Sequence, residues 1–242
     1  MNASARWLVF TVLGFVCAAS AKGEPGMTGD LSRIDHVILG VNDLEGGIEE
    51  LFRLTGVRAV FGGAHPGRGT HNALISLGGA QYLEILAPNP KDESPAWIGE
   101  LKSLTALAPV GWAARGDDLP ALQKSLRSQG VQTGEVRPGE RKRPDGSRLA
   151  WRTLEIASPS SDLIPFFIEW DAGSAHPSST SPAGCKLTGF TLEDPAPDAL
   201  RKTLQAAGLG VEVRQGKEPG IRISLACPKG NLELARGLRR EP

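Results

Sequence analysis

One local pattern occurs three times along this 242-residue chain, and it limits the fold more than any single motif does. A short apolar strand leads to an aspartate, then a helical stripe of apolar residues, then a glycine. From aspartate to glycine the units run Asp43 to Gly56, Asp118 to Gly130 and Asp194 to Gly208. An aspartate side chain satisfies free N–H groups at a helix start. A glycine takes the left-handed turn that ends one. In the first unit Leu44, Ile48, Leu51 and Leu54 recur at helical spacing. In the second Leu119, Leu122 and Leu126 do the same.

Strand patterns complete each unit. In the first, Ile34 to Val41 precedes the helix, and Val57 to Phe61, His71 to Leu77 and Gln81 to Ala87 follow it, with Gly62 to Gly69 as a loop. In the second, Val110 to Arg115 leads and Leu149 to Ile156 and Ile164 to Trp170 follow, after a turn at Pro144-Asp145-Gly146-Ser147. In the third, Lys186 to Leu192, a helix over Asp198 to Ala207, and strands at Val211 to Arg214, Ile221 to Ala226 and Leu232 to Ala235 repeat the plan. Strand, helix and three strands, repeated, predict an α+β fold of βαβββ modules forming a cupped mixed sheet. The modules span 34–88 and 110–170, within a domain of 34–177, and a third, degenerate module spans 185–236. Residues 22–33 read as a flexible lead-in.

The first residues read as a targeting segment. Arg6 is the only charge before an apolar run from Trp7 to Ala19, and Ala19-Ser20-Ala21 supplies a small-residue cleavage site. This is the layout of a secretory signal peptide over residues 1–21. It predicts cleavage after Ala21, a secreted or periplasmic protein, and no membrane attachment afterwards. Cys185 and Cys227 would remain. Two readings stand for them: a disulfide, which an oxidising compartment permits, or two buried thiols. A formal net charge of +0 argues against nucleic acid as a partner.

Several side chains stand out as site candidates. His36 lies inside the first apolar strand and Glu84 inside the fourth, and a polar group there is costly without a partner. Strand alternation puts His36 with Ile34 and Ile38, and Glu84 with Tyr82 and Leu86. His71 opens the third strand, as an acid/base or as a strand-end histidine bonded to backbone. The glycine-rich loop Gly62 to Gly69 carries Arg68 and offers amides and a guanidinium to an anion. Glu169 sits in an aromatic strand beside Phe167, as a general base or as the partner of an arginine such as Arg152. Trp151 lines a pocket or packs in the core. Arg141-Lys142-Arg143 reads as a solvated loop, and His65 and His176, each before a proline, read as loop residues.

These segments together resemble a known family. IDHVILGVNDL, GRGTHNALISLGG, YLEILAP, RPDGSRLAW and PFFIEWD followed by HP are similar, in order and spacing, to the glyoxalase-like branch of the vicinal oxygen chelate superfamily. The resemblance implies two βαβββ modules cupped around a divalent metal, with ligands from the first and last strands of each. His36 and Glu84 match the first module's metal ligands, and Glu169 matches the last-strand glutamate of the second. Gly111 stands opposite His36 in the second module and Gly189 in the third, where Glu233 holds the last-strand position. Residues and resemblance together give a site with metal ligands His36 and Glu84, an imidazole–carboxylate set that suits Zn, Fe, Mn or Ni, catalytic groups Glu169 and His71, and a small-molecule ligand against Arg68, Tyr82, Trp151 and Phe167. Lyase, isomerase and dioxygenase chemistry on a small carbonyl or hydroxylated compound all fit. The alternative is a sequestering protein with the same fold and no catalysis. A homodimer formed through the third module is a further expectation.

Overall fold

The computed structural model describes residues 29–92, 98–143, 145–157 and 163–237. The signal-peptide segment 1–21 lies outside the described residues. The first module contains β1 (Ile34–Gly40), α1 (Leu44–Thr55), β2 (Val60–His65), β3 (Thr70–Gly78) and β4 (Gln81–Pro88). A short helix α2 (Ile98–Lys102) connects to the second: β5 (Ala108–Arg115), α3 (Leu119–Ser128), β6 (Arg137–Lys142), β7 (Arg148–Glu155) and β8 (Phe166–Trp170). After α4 (Pro177–Thr180) come β9 (Lys186–Asp194), α5 (Pro197–Ala206), β10 (Glu212–Gln215), β11 (Gly220–Cys227) and β12 (Gly230–Gly237).

The helices begin and end for local reasons. The Asp43 side chain accepts from the Gly46 amide at 2.7 Å, and Gly56 closes α1 with a φ of 79°. Asp118 accepts from the Ala121 amide at 3.0 Å and so caps α3. The third aspartate departs from the pattern. Asp194 ends β9 and bonds the Ala196 amide at 2.7 Å, so α5 starts at Pro197 without a side-chain cap. Leu44, Ile48 and Leu51 bury the inner face of α1 against the sheet, each contributing about 2 kcal/mol by removal from water.

The first two modules share one eight-stranded sheet in the order β2-β3-β4-β1-β5-β8-β7-β6. β1 pairs parallel with β4 and antiparallel with β5, so the modules join back to back at the centre. The sheet curls until its edges approach: a Cβ on Gly63 of β2 would lie 3.3 Å from the Lys142 carbonyl of β6. Side chains alternate between a convex face covered by helices and a concave face lining a cup. Val37, Leu39, Leu83, Ile85, Leu154 and Phe167 pack on the convex side in the apolar core.

The third unit repeats the element order but not the sheet order. Its strands run β10-β9-β11-β12, with β10 parallel to β9 from Glu212↔Thr191 onward. In the first module the equivalent second strand sits at the far edge from β1. The third unit is therefore a differently paired sheet. Cys185 and Cys227 form a disulfide across the start of β9 and the end of β11, their Cα atoms 4.2 Å apart. Trp112 of β5 packs on Phe190 of β9, and the Lys229 amide donates to the Thr55 carbonyl at 3.2 Å, which ties the unit to the first two modules. Among the described residues no helix is long and apolar enough to cross a membrane.

Candidate active site

The cup holds a cavity of about 380 Å³. Its floor is β1 and β4, its walls are β7 and β8 on one side and β2 and β3 on the other. His36 and Glu84 both point into it, with His36 Nε2 3.6 Å from Glu84 Oε2. They come from adjacent parallel strands in which His36 pairs with Tyr82 and Ile38 with Glu84. The Tyr82 ring stacks on the His36 imidazole at 4.4 Å between centroids, and Phe166 meets it edge-on.

Behind His36 stands Asp35, which is fully buried. Neighbours in a regular strand point to opposite faces. The β1–β5 ladder shifts register between Ile34 and His36, and that bulge turns Asp35 and His36 toward each other. Asp35 Oδ1 lies 2.8 Å from His36 Nδ1, while Oδ2 accepts from Trp170 Nε1 at 3.1 Å and faces His176 Nε2 at 3.2 Å. Burial alone would raise the Asp35 pKa. The hydrogen bonds and charges of His176 and His36 outweigh burial and hold the carboxyl well below the usual range. The Asp35 carboxylate accepts from His36 Nδ1, which sets the ring with Nε2 toward Glu84.

Glu84 is held from its other side. Asn72 Nδ2 donates to Glu84 Oε1 at 2.6 Å, and His65 Nε2 lies 3.8 Å from the same oxygen. His65 is anchored through Nδ1 to Thr70 Oγ1 at 3.0 Å. Burial, with Arg141, Arg68 and His36 adding to it and Glu84 opposing, lowers the His65 pKa and favours the neutral ring. Burial also pushes the Tyr82 hydroxyl well above its ordinary value.

The structure brings His36, Glu84, Arg68, Tyr82 and Trp151 to the cup. It places three expected residues elsewhere. Glu169 and Phe167 alternate with the cup-lining Phe166, Ile168 and Trp170 and so face the convex side. There Glu169 pairs with Arg152 and accepts from the Leu119 amide at the start of α3, which corrects its assignment as a catalytic base. Phe167 is a core residue and not a ligand contact. His71 alternates with cup-lining Thr70 and Asn72, so it points outward and meets Phe61 edge-on. Burial lowers its pKa, with Asp43 and the Pro88 backbone opposing.

Four contributors were not foreseen. His65 ends β2, which runs two residues past the Gly62-Gly63 pair. Asp35 is revealed only by the bulge, and His176 only by its bond to Asp35. Arg141 lies on an edge strand that had read as a solvated loop. Its side chain turns into the cup and is 7% exposed. Two of the glycine-loop amides are committed within the fold: those of Gly67 and Gly69 both donate to Asp92 Oδ2 at 3.2 Å.

Two βαβββ modules joined through their first strands, with a polar floor of histidine and glutamate, define a vicinal oxygen chelate protein of glyoxalase-like fold. Residues 34–208 match the Glyoxalase-like domain family, and the chain belongs to that family. A structure of a hypothetical protein from Staphylococcus aureus is similar over 84% of this chain and 84% of that one, at 16% identity and a TM-score of 0.59; this likeness is one of fold. Methylmalonyl-CoA epimerase from Mycobacterium tuberculosis is similar over 57% of this chain and 87% of its own, at 27% identity and a TM-score of 0.42. A hypothetical protein from Bacillus halodurans C-125 is similar over 59% of this chain and 97% of its own, at 19% identity and a TM-score of 0.42. No curated protein matches the chain in sequence.

The superfamily implies a divalent metal, and the side chains here do not fit a full centre. Among the described residues no group of three or more His, Cys, Asp or Glu side chains is arranged to hold one. His36, Glu84 and His65 meet at the floor but are engaged within the protein: His36 Nδ1 with Asp35, and Glu84 Oε1 and His65 Nε2 both against Asn72 Nδ2 at 2.6 and 3.3 Å. In the second module Gly111 offers no donor and the last-strand glutamate faces away.

Proposed function

We propose that the protein is an exported glyoxalase-like enzyme that moves a proton at the carbon next to a carbonyl of a small organic molecule held in the cup. The observation that carries this reading is the buried line Asp35–His36–Glu84, which ends at the cavity floor. A cavity of about 380 Å³ falls within the roughly 300–1,000 Å³ range of small-molecule sites. The Glu84 carboxylate, fixed by Asn72, takes the proton from carbon. His36 Nε2, oriented by Asp35, exchanges that proton with Glu84 across their 3.6 Å gap and returns it to the substrate. Asp35 offsets the charge that His36 gains meanwhile. The aromatic walls keep water from the carbanion-like intermediate.

Exchange of the carbon-bound protons of phenylpyruvate and phenylacetone into deuterated solvent, followed by NMR, tests this. Wild-type protein should accelerate the exchange of at least one of them, and Glu84→Gln and His36→Gln should each lose the acceleration. Uncatalysed rates with the wild type would sink it.

A second reading, a sequestering protein without catalysis, draws on Gly111 at the second module's ligand position and on the Trp151–Trp170 wall. It predicts that a compound binds in the cup and is recovered unchanged. Export is supported by the signal-like residues 1–21 and by the Cys185–Cys227 disulfide, which persists in oxidising compartments. N-terminal sequencing of the mature protein should begin at Lys22. An intact Met1 on exported protein would contradict cleavage there.

A further inference from the structure

We propose that the ligand of this cup is an organic monocarboxylate, seated on Arg141 with its apolar body against Trp151 and Trp170; the inference rests on the cup being the functional site. Arg141 is one of four side chains with a buried, unpartnered polar atom among the described residues, and the one cation among them that lines the cup. It comes from β6, an edge strand of sequence RPGERK in which every other charged side chain reaches solvent. Alternation puts Arg137 and Arg141 on the same face, but Arg137 stays exposed at the strand's start while Arg141 is drawn into the cup at 7% exposure, and its Nη1 has no hydrogen-bond partner among the described residues. A guanidinium withdrawn from water needs an anion to bond.

No protein carboxylate fills that role. Arg141 makes no ion pair among the described residues, and Glu84, the acid whose charge it feels most, is already bonded to Asn72 and faces His36. The site also makes room for the guanidinium. A Cβ on Gly63 would lie 2.9 Å from Arg141 Nη1, and Gly63 has a φ of 140°, which a residue with a side chain rarely adopts. The glycine at the seam between β2 and β6 thus lets the side chain pass from the sheet edge into the cavity.

Charge decides between classes of anion. The cup lining carries Arg68 and Arg141 against Glu84, Glu100 and Glu155. Glu100 is offset from outside by Arg236 at 2.9 Å. A single negative charge suits this balance better than the two of a phosphate monoester. The planar Arg141 fork matches a carboxylate with two parallel bonds. The remaining walls are aromatic: Trp151 and Trp170 lie 5.6 Å apart between centroids, and Phe166 lines the cup further along β8, edge-on to His36. A ring-bearing acid fills such a space, and its rings favour offset or edge-on contact.

Isothermal titration of the wild-type protein with phenylpyruvate, phenylacetone and phenyl phosphate tests the assignment. Phenylpyruvate and phenylacetone share ring and ketone and differ in the carboxylate. Phenylpyruvate should bind about tenfold or more tighter than phenylacetone, as expected of a charge-assisted pair, and tighter than phenyl phosphate. Arg141→Gln should erase the preference for phenylpyruvate while the melting curve shows a folded protein. If that variant does not fold, the wild-type comparison decides alone. Equal affinity for the two ketones, tighter binding of phenyl phosphate, a preference that survives Arg141→Gln, or no binding of any of the three would overturn the proposal. Arg141-dependent binding without proton exchange would overturn the enzymatic reading and leave this one standing. Exchange with no preference for the acid would do the reverse.

Discussion

Asp35 Oδ1 lies 2.8 Å from His36 Nδ1, and its other oxygen lies 3.2 Å from His176 Nε2, so one buried carboxylate joins a strand of the first module to the segment that follows the second. The bond fixes which nitrogen of His36 faces Glu84. Replacing Asp35 by asparagine removes the charge and leaves one donor poorly matched. We expect Asp35→Asn to cost about 2–3 kcal/mol of stability, since bonds to a buried charged group are worth roughly that much. Nitrogen NMR of the His36 ring should show the tautomer shifting. A ring spectrum and a denaturation midpoint unchanged from the wild type would rule out the orienting role.

The disulfide makes a separate prediction. Cys185 and Cys227 enclose a 42-residue separation that holds most of the third unit. On chain-entropy grounds such a closure stabilises by up to about 4 kcal/mol. Cys185→Ser or full reduction should therefore lower the melting temperature, with hydrogen exchange rising first in β9 and β11. A melting curve indifferent to reductant would contradict the bridge.

Stability should fall with acid in two stages. Burial, opposed by Glu84, lowers the His65 pKa, so the unfolded chain takes up that proton first. Its contribution is present above about pH 6.5, the ordinary imidazole value, and is lost as pH falls through the depressed folded value. The Asp35 pKa is lowered too, so its contribution is present above about pH 4 and is lost only as pH falls below that. Urea midpoints measured from pH 8 to pH 3 should show both declines, and His65→Asn should flatten the upper one. A wild-type midpoint that is level between pH 7 and pH 5 would count against the His65 assignment.

How much of this was legible in the sequence depends on the residue. His36 and Glu84 could be read because each interrupts an apolar strand, and period-two alternation then places them on the cup face. Glu169 shows the limit of that logic. Its strand was recognised, but the side facing the cup is set by pairing: β5 pairs with β8 as Ala113↔Phe166, which aims the even-numbered positions inward. The same one-residue parity turns His71 outward and Asn72 inward. Asp35 escaped because a bulge breaks the alternation. Arg141 and His65 escaped because their strands carry prolines, glycines and charges that read as loop. Edge strands tolerate such residues, since one side of an edge has no ladder to complete. The third unit has a strand–helix–strands order identical to the others, and only pairing shows that β10 joins β9 directly.

The opposite orientations of the two glutamates give the most direct test. Glu84 lines the cup, and Glu169 bonds Arg152 and the Leu119 amide on the far face of the sheet. Proton exchange into deuterated solvent at the carbon beside the phenylpyruvate ketone should be measured for the wild type, Glu84→Gln and Glu169→Gln side by side. The account predicts that Glu84→Gln loses about 100-fold or more of the acceleration, the usual worth of a positioned base. Glu169→Gln should keep the wild-type rate at a stability cost of about 1 kcal/mol. Full activity in Glu84→Gln, or loss of activity in a folded Glu169→Gln, would contradict it.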